Sequence, residues 1–188
     1  MARLRRSTDE AADVLLRWML PRRWYRDGAH TVQTARIVDV VAIPSSPPAV
    51  LALLQVQYHH AEPATYLLPL TTDEHFDADE LVAAAPEAAI ARLVGEGSST
   101  RLLDGSQVPG VFETLLGIVA GRRHVHGDHS ELVGRSSKSL RTHLDGIAAS
   151  DLSATPIGDQ PTMSNSSASY SDKLVMKLYR VLEDGPNP

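Results

Sequence analysis

Cysteine is absent from all 188 residues, which excludes a disulfide framework and every thiolate metal site and favours a cytoplasmic location. No apolar run approaches the ~18 residues needed to cross a bilayer, so no membrane partner is expected. The amino-terminal Met1-Ala2-Arg3-Leu4-Arg5-Arg6 is basic, but Ser7-Thr8-Asp9-Glu10 follows it instead of an apolar stretch, which excludes a secretory signal. Positive charge is also short. The formal net charge is −5, and with Arg22, Arg23 and Arg26 as only a local basic spot, nothing supports nucleic-acid binding. Missing too are a Gly-x-x-x-x-Gly-Lys-Ser/Thr loop, a Gly-x-Ser-x-Gly elbow, a His-Glu-x-x-His pair and any internal repeat.

What is present is an ordinary soluble composition, 43% hydrophobic and 22% charged, long enough for one generous domain or two small ones. Ser7-x-x-Glu10 forms a capping box. Ala11, Val14, Leu15, Trp18 and Met19 then recur at helical spacing until Pro21 stops the helix. Trp24 and Tyr25 follow, and they read as core-margin aromatics or, alternatively, as a surface for another protein. Three strand-like runs, residues 31–43, 50–59 and 65–70, are separated by hairpin-length gaps, so an antiparallel meander backed by the first helix is expected. Gln55 and Gln57 alternate with Leu54, Val56 and Tyr58, which leaves one face of this sheet wet.

The acidic cluster Asp73-Glu74, Asp77 and Asp79-Glu80 reads as a solvated linker near a domain boundary at residue 85. Residues 86–94 read as a short helix. Residues 100–103 with Asp104-Gly105 suggest the start of a hairpin. Val111, Leu115, Ile118 and Val119 give an amphipathic helix ending by Gly121. His124-x-His126-x-x-His129, with Asp128, is the one constellation with ligand chemistry for zinc. A glycine inside the run and the lack of a fourth ligand favour a solvated loop, so no metal site is assigned. Residues 131–133 read as a strand, 136–144 as a helix and 149–158 as a loop.

The segment from Pro161 to Arg180 carries the chemistry. The small polar run Ser164-Asn165-Ser166-Ser167 reads as a loop whose amides and hydroxyls can converge on an anion. A turn follows at Ser171-Asp172. In the strand Leu174–Tyr179, period-2 alternation sets Leu174, Met176 and Leu178 on one face and Val175, Lys177 and Tyr179 on the other. A lysine on such a strand beneath a small-residue loop is the arrangement protein-kinase folds use for the phosphates of ATP. The plain alternative is an edge hairpin with a snorkelling lysine.

Ser164-Asn165-Ser166-Ser167, Tyr170-Ser171-Asp172-Lys173-Leu174, Lys177-Leu178-Tyr179-Arg180 and residues 183–188, together with Leu20–Tyr25 and Tyr66–Leu70, resemble the actinobacterial maltokinases, relatives of the aminoglycoside phosphotransferases. Two positions depart from that pattern: Thr162-Met163 stands where Glu-Gln is common, and Ser171 where glycine is common. The resemblance implies an α+β chain, with an antiparallel sheet and packed helices as a cap unit over 1–85 and a partial protein-kinase-like N-lobe over 86–188. It implies that Ser164, Asn165, Ser166, Ser167 and Lys177 bind nucleotide, with no catalytic residue among them. In such a kinase the cofactor is ATP, magnesium is held by a further C-terminal lobe, and maltose becomes maltose 1-phosphate for α-glucan and trehalose metabolism. Asn187-Pro188 reads as the start of the next helix, so this chain is expected not to catalyse the transfer by itself. Glucosamine or another sugar is the alternative acceptor. A non-catalytic module docking on an enzyme such as trehalose synthase is the alternative role.

Overall fold

The computed structural model describes residues 2–25, 30–95, 98–144, 151–157, 165–171 and 173–183. The fold is α+β. Helix α1 (Ala2–Met19) buries Ala12, Leu15, Trp18 and Met19, a stripe at helical spacing. It begins before the Ser7 capping box, which therefore lies inside the helix; the good helix formers Leu4, Arg5 and Arg6 carry the helix past that box.

Strands β1 (Val32–Ile43), β2 (Ala49–Tyr58) and β3 (Ala64–Thr72) form the expected antiparallel meander. Ala52, Leu54, Val56 and Tyr58 of β2 lie in one core cluster with α1, Trp24 and Tyr66. Trp24 is 2% and Tyr25 7% exposed, so these aromatics pack inward. The Tyr25 hydroxyl is met inside the core, where the Tyr58 hydroxyl bonds those of Tyr66 and Tyr25 at 3.2 and 3.5 Å. The other face of β2 is wet only toward one end. Gln55 is half-buried and accepts from Arg36 at 2.8 Å, whereas Leu51 and Ala49 join a second core.

After β3 the acidic cluster folds into a turn of 3₁₀ helix and the short helix α2 (Asp79–Ala84). Arg101 bridges this stretch through Asp73 and Asp79. Of residues 86–94, expected as helix, the first three make a 3₁₀ turn and the rest belong to β4 (Ala89–Gly95), paired with β5 (Ser98–Asp104). The alanine-rich start suggested a helix, but cross-strand pairing outweighs such a weak local preference. Because β5 pairs with β3, the sheet order is β1-β2-β3-β5-β4, and a cut at residue 85 falls inside this sheet. Asp104 does not open a hairpin. Its carboxylate accepts from the Ser106 amide at 3.0 Å and caps a 3₁₀ turn that leads into α3 (Pro109–Ala120).

Beyond α3, β7 (Glu131–Val133) is the strand expected there, and it pairs with β6 (His124–His126), a strand where a loop was expected, to make a two-stranded hairpin. The hairpin is seated on β1 because the Asp39 carboxylate accepts from the Asp128 and His129 amides at 3.0 and 3.1 Å. Helix α4 (Lys138–His143) starts at Ser137, whose hydroxyl accepts from the Leu140 amide at 3.1 Å.

The last unit is a separate three-stranded antiparallel sheet of β8 (Ala154–Ile157), β9 (Asn165–Tyr170) and β10 (Leu174–Tyr179), with β9 in the middle. The chain then crosses back, and β11 (Val181–Leu182) pairs with β3 of the large sheet. No helix among the described residues is long and apolar enough to cross a membrane.

Candidate functional site

The expected loop of small residues is a strand. Asn165, Ser166 and Ser167 open β9, and β8 occupies part of the stretch expected as loop. Small polar side chains signal turns locally, yet pairing of all three residues with β10, and of Ser167 with β8, makes them strand. Ser164 lies outside the described residues, within the connection that joins β8 to β9.

Directly paired residues share a face of an antiparallel sheet. Lys177 pairs with Ser167, Tyr179 with Asn165 and Val175 with Ser169; Ile157 of β8 pairs with Ser167 on the other side. The opposite face carries Ala154, Ala168, Tyr170 and Met176 and packs on Phe112 and Leu116 of α3. Tyr170 fixes that contact by donating its hydroxyl to the Phe112 carbonyl at 2.7 Å. Burial, and then the nearby Glu113 carboxylate, push its phenol well above the usual range.

The Lys177 face is open. Val175 is 60% and Tyr179 43% exposed, and Lys177 between them is exposed as well. The strand alternation read from the sequence is therefore the one observed, and the amine stands on a solvent-facing sheet surface directly across from Ser167. Two of the serines are spent internally. Ser166 accepts from the Arg180 Nε at 2.9 Å, and Ser167 donates to the Asn165 Oδ1 at 3.0 Å.

Arg180 was not singled out by sequence reasoning. Its side chain is fully buried, 0% exposed. Nη2 reaches Asp104 Oδ2 at 2.7 Å and Ser106 Oγ at 2.7 Å, and the guanidinium lies 4.9 Å from the centre of the Trp24 ring. Its carbonyl accepts from the Leu67 amide at 2.7 Å. Arg180 therefore pins the end of β10 to the large sheet, three positions after Lys177. The available signal was an arginine on the opposite side of the strand from Lys177, where an apolar residue fits the alternation; a charge placed there needs a buried partner.

The histidine constellation stays apart from this face. His124 and His126 lie on one side of β6, and both approach Glu131, at 2.9 and 3.5 Å. His129 is held through its amide instead. Among the described residues no cluster of histidine, aspartate and glutamate is arranged to hold a metal ion, so no magnesium ligand is assigned to them.

Fold and site together define a class: an α+β protein in which a helix-backed antiparallel sheet is clamped to a smaller sheet that presents one lysine on an open face. Comparison narrows this class. Residues 18–107 match the family model of the maltokinase N-terminal cap domain, which gives the chain a maltokinase-like N-terminal part. No curated protein matches the sequence. The matched stretch holds Trp24, Asp104 and Ser106, and Arg180 reaches into it from the smaller sheet outside the match.

Proposed function

We propose that the three-stranded sheet is the nucleotide-facing part of a maltokinase-type sugar kinase, with the cap-like unit as its rigid support. The observation that carries this reading is the placement of Lys177 on the third strand of an antiparallel meander whose first two strands are joined by the segment 158–164. In protein kinases the loop between the first two strands covers the phosphates and the lysine that meets them stands on the third. Lys177 would neutralise and position the α- and β-phosphates of ATP. Ser164 and the adjoining Asn165, Ser166 and Ser167 would set the end of the covering segment, with Ser166 and Ser167 acting through backbone position, since their hydroxyls are already engaged. The open apolar flank from Val175 suits the base.

In this reading the whole enzyme transfers the ATP γ-phosphate to the anomeric hydroxyl of maltose, in the metabolism of α-glucan and trehalose in the cytoplasm. Magnesium would accompany the nucleotide and lower the charge on its phosphates; no residue described here is assigned to it.

Binding is the test, because the assigned residues position phosphates and make no bond themselves. Titration of the chain with ATP and magnesium, followed by backbone amide NMR, is expected to give saturable shifts along β9 and β10. Lys177→Ala should abolish them while Lys173→Ala, at the exposed turn, leaves them intact. Since Lys177 is exposed, its replacement should change stability by no more than about 0.5 kcal/mol. Absence of any saturable response, or an unchanged response in Lys177→Ala, overturns the assignment.

A further inference from the structure

A second basic feature lies away from Lys177, where the end of α3 meets the β6–β7 hairpin and the chain leading into α4. A concavity of about 730 Å³ there is lined by Arg122, His124, Val133, Gly134, Arg135 and Ser136, with no carboxylate in its wall. Backbone constraints set both arginines. Arg122 is held at φ 50°, in the left-handed region, immediately after α3. Arg135 follows Gly134, where a Cβ would lie 2.0 Å from the Ile118 carbonyl oxygen, and the Gly134 amide donates to the Arg123 carbonyl at 2.8 Å. The hairpin is thereby pressed onto the end of α3, and the two arginines border one hollow.

Nothing described neutralises them. Glu131, the acidic residue of β7, is engaged by His124 and His126 at 2.9 and 3.5 Å. Among the described residues, neither the Arg122 nor the Arg135 guanidinium has an ion-pair or hydrogen-bond partner. The hydroxyl oxygen of Ser136 is buried and also lacks a partner. A buried polar atom without a partner is uncommon, and a ligand oxygen at this position would satisfy it. Two guanidinium forks present planar donor pairs that match the oxygens of a tetrahedral anion.

We propose that this concavity binds a phosphate-type oxyanion, with Arg122 and Arg135 donating to its oxygens and the Ser136 hydroxyl completing the set. The site is independent of the nucleotide reading, since its walls include neither Lys177 nor any residue of the three-stranded sheet.

The test is titration of the whole chain with inorganic phosphate, with a sugar phosphate monoester and with acetate, in separate series at constant ionic strength, followed by backbone amide NMR. Saturable shifts confined to residues 122–124 and 133–136 are expected for phosphate. A stronger response to the monoester identifies a phosphorylated metabolite as the ligand, and an equal one identifies free phosphate. Arg122→Asn keeps a residue that tolerates the left-handed backbone. Combined with Arg135→Gln, it should weaken phosphate binding roughly tenfold or more, with Lys177→Ala as an unaffected control. Non-saturating shifts, an equal response to acetate, or retention of binding in a double variant that still melts cooperatively overturns the proposal.

Discussion

Arg180 and Asp104 form a buried ion pair, 2.7 Å from Nη2 to Oδ2, across the join between the small sheet and the large one. Taking two charges out of water is costly, and Ser106, Ser166 and the Trp24 ring offset part of that cost around the guanidinium, whose buried Nη1 has no hydrogen-bond partner among the described residues. Removing one partner is the damaging change. Asp104→Asn is expected to lower the free energy of urea unfolding by about 3–5 kcal/mol, since it leaves an uncompensated buried cation. Asp104→Leu combined with Arg180→Met should recover much of that loss. A double variant as unstable as the single one would mean that the pair is not what joins the sheets.

Ser171 sits at φ 51° in the turn between β9 and β10. A residue with a Cβ is strained there by about 1–2 kcal/mol, and glycine recovers part of this after its own entropy loss. Ser171→Gly is therefore expected to stabilise the chain by about 0.5–1 kcal/mol. A thermal melt that does not rise would show that the turn relaxes by another route.

Two glycines of α3 should respond in opposite directions to the same substitution. A Cβ at Gly117 meets nothing within 4 Å, whereas one at Gly110 would lie 2.0 Å from the Ser46 carbonyl oxygen. Gly117→Ala gains helix propensity, about 1 kcal/mol of stability, and Gly110→Ala forces backbone apart at a cost of about 1–3 kcal/mol. Denaturant midpoints of the two variants check both signs, and a neutral Gly110→Ala would deny the close contact between α3 and the β1–β2 connection.

Asp39 and Asp73 set the acid limit of stability. The Ser130 hydroxyl, then, against the opposing effect of burial, the amides of Val40, His129 and Asp128, hold the Asp39 carboxyl below the usual range. Burial pulls Asp73 upward, but the Arg101 guanidinium and amide outweigh it and leave its carboxyl lowered too. A depressed carboxyl contributes stability that is present above its unfolded value, about 3.9, and is lost as pH falls through the folded value. Unfolding free energy is expected to be level from neutral pH to about 5 and to fall below about 4. Asp39→Asn should flatten that acid limb, and an unchanged slope would remove Asp39 from the account.

Much of the architecture was legible where one signal dominated. The first helix, the three-strand meander, α3 and the lysine-bearing strand all have a single clear period, and each was observed. The errors fall where local chemistry and long-range pairing disagree. Residues 89–94 carry a helical composition but belong to a strand paired with β5. Asn165–Ser167 look like a turn, yet all three pair with β10, and Ser167 pairs with β8 as well. His124 and His126 look like a loop, but they pair with Glu131–Val133. The Arg180 clamp was invisible for a related reason, because its partners Trp24, the Asp104–Ser106 turn and Ser166 come from three separate stretches of sequence.

The order of residues alone determined that Lys177 leaves its strand opposite Leu174, Met176 and Leu178, because alternation is a property of extended backbone and needs no partner. It also determined the apolar stripe of α1, through the 3.6-residue period of a helix. Tertiary structure alone decided that Ser166 and Ser167 are strand residues with their hydroxyls occupied, and that Arg180 is buried between two sheets. Those outcomes depend on which distant segments meet, since hydrogen bonds and charge compensation between segments far apart in sequence outweigh the small conformational preferences of the residues themselves.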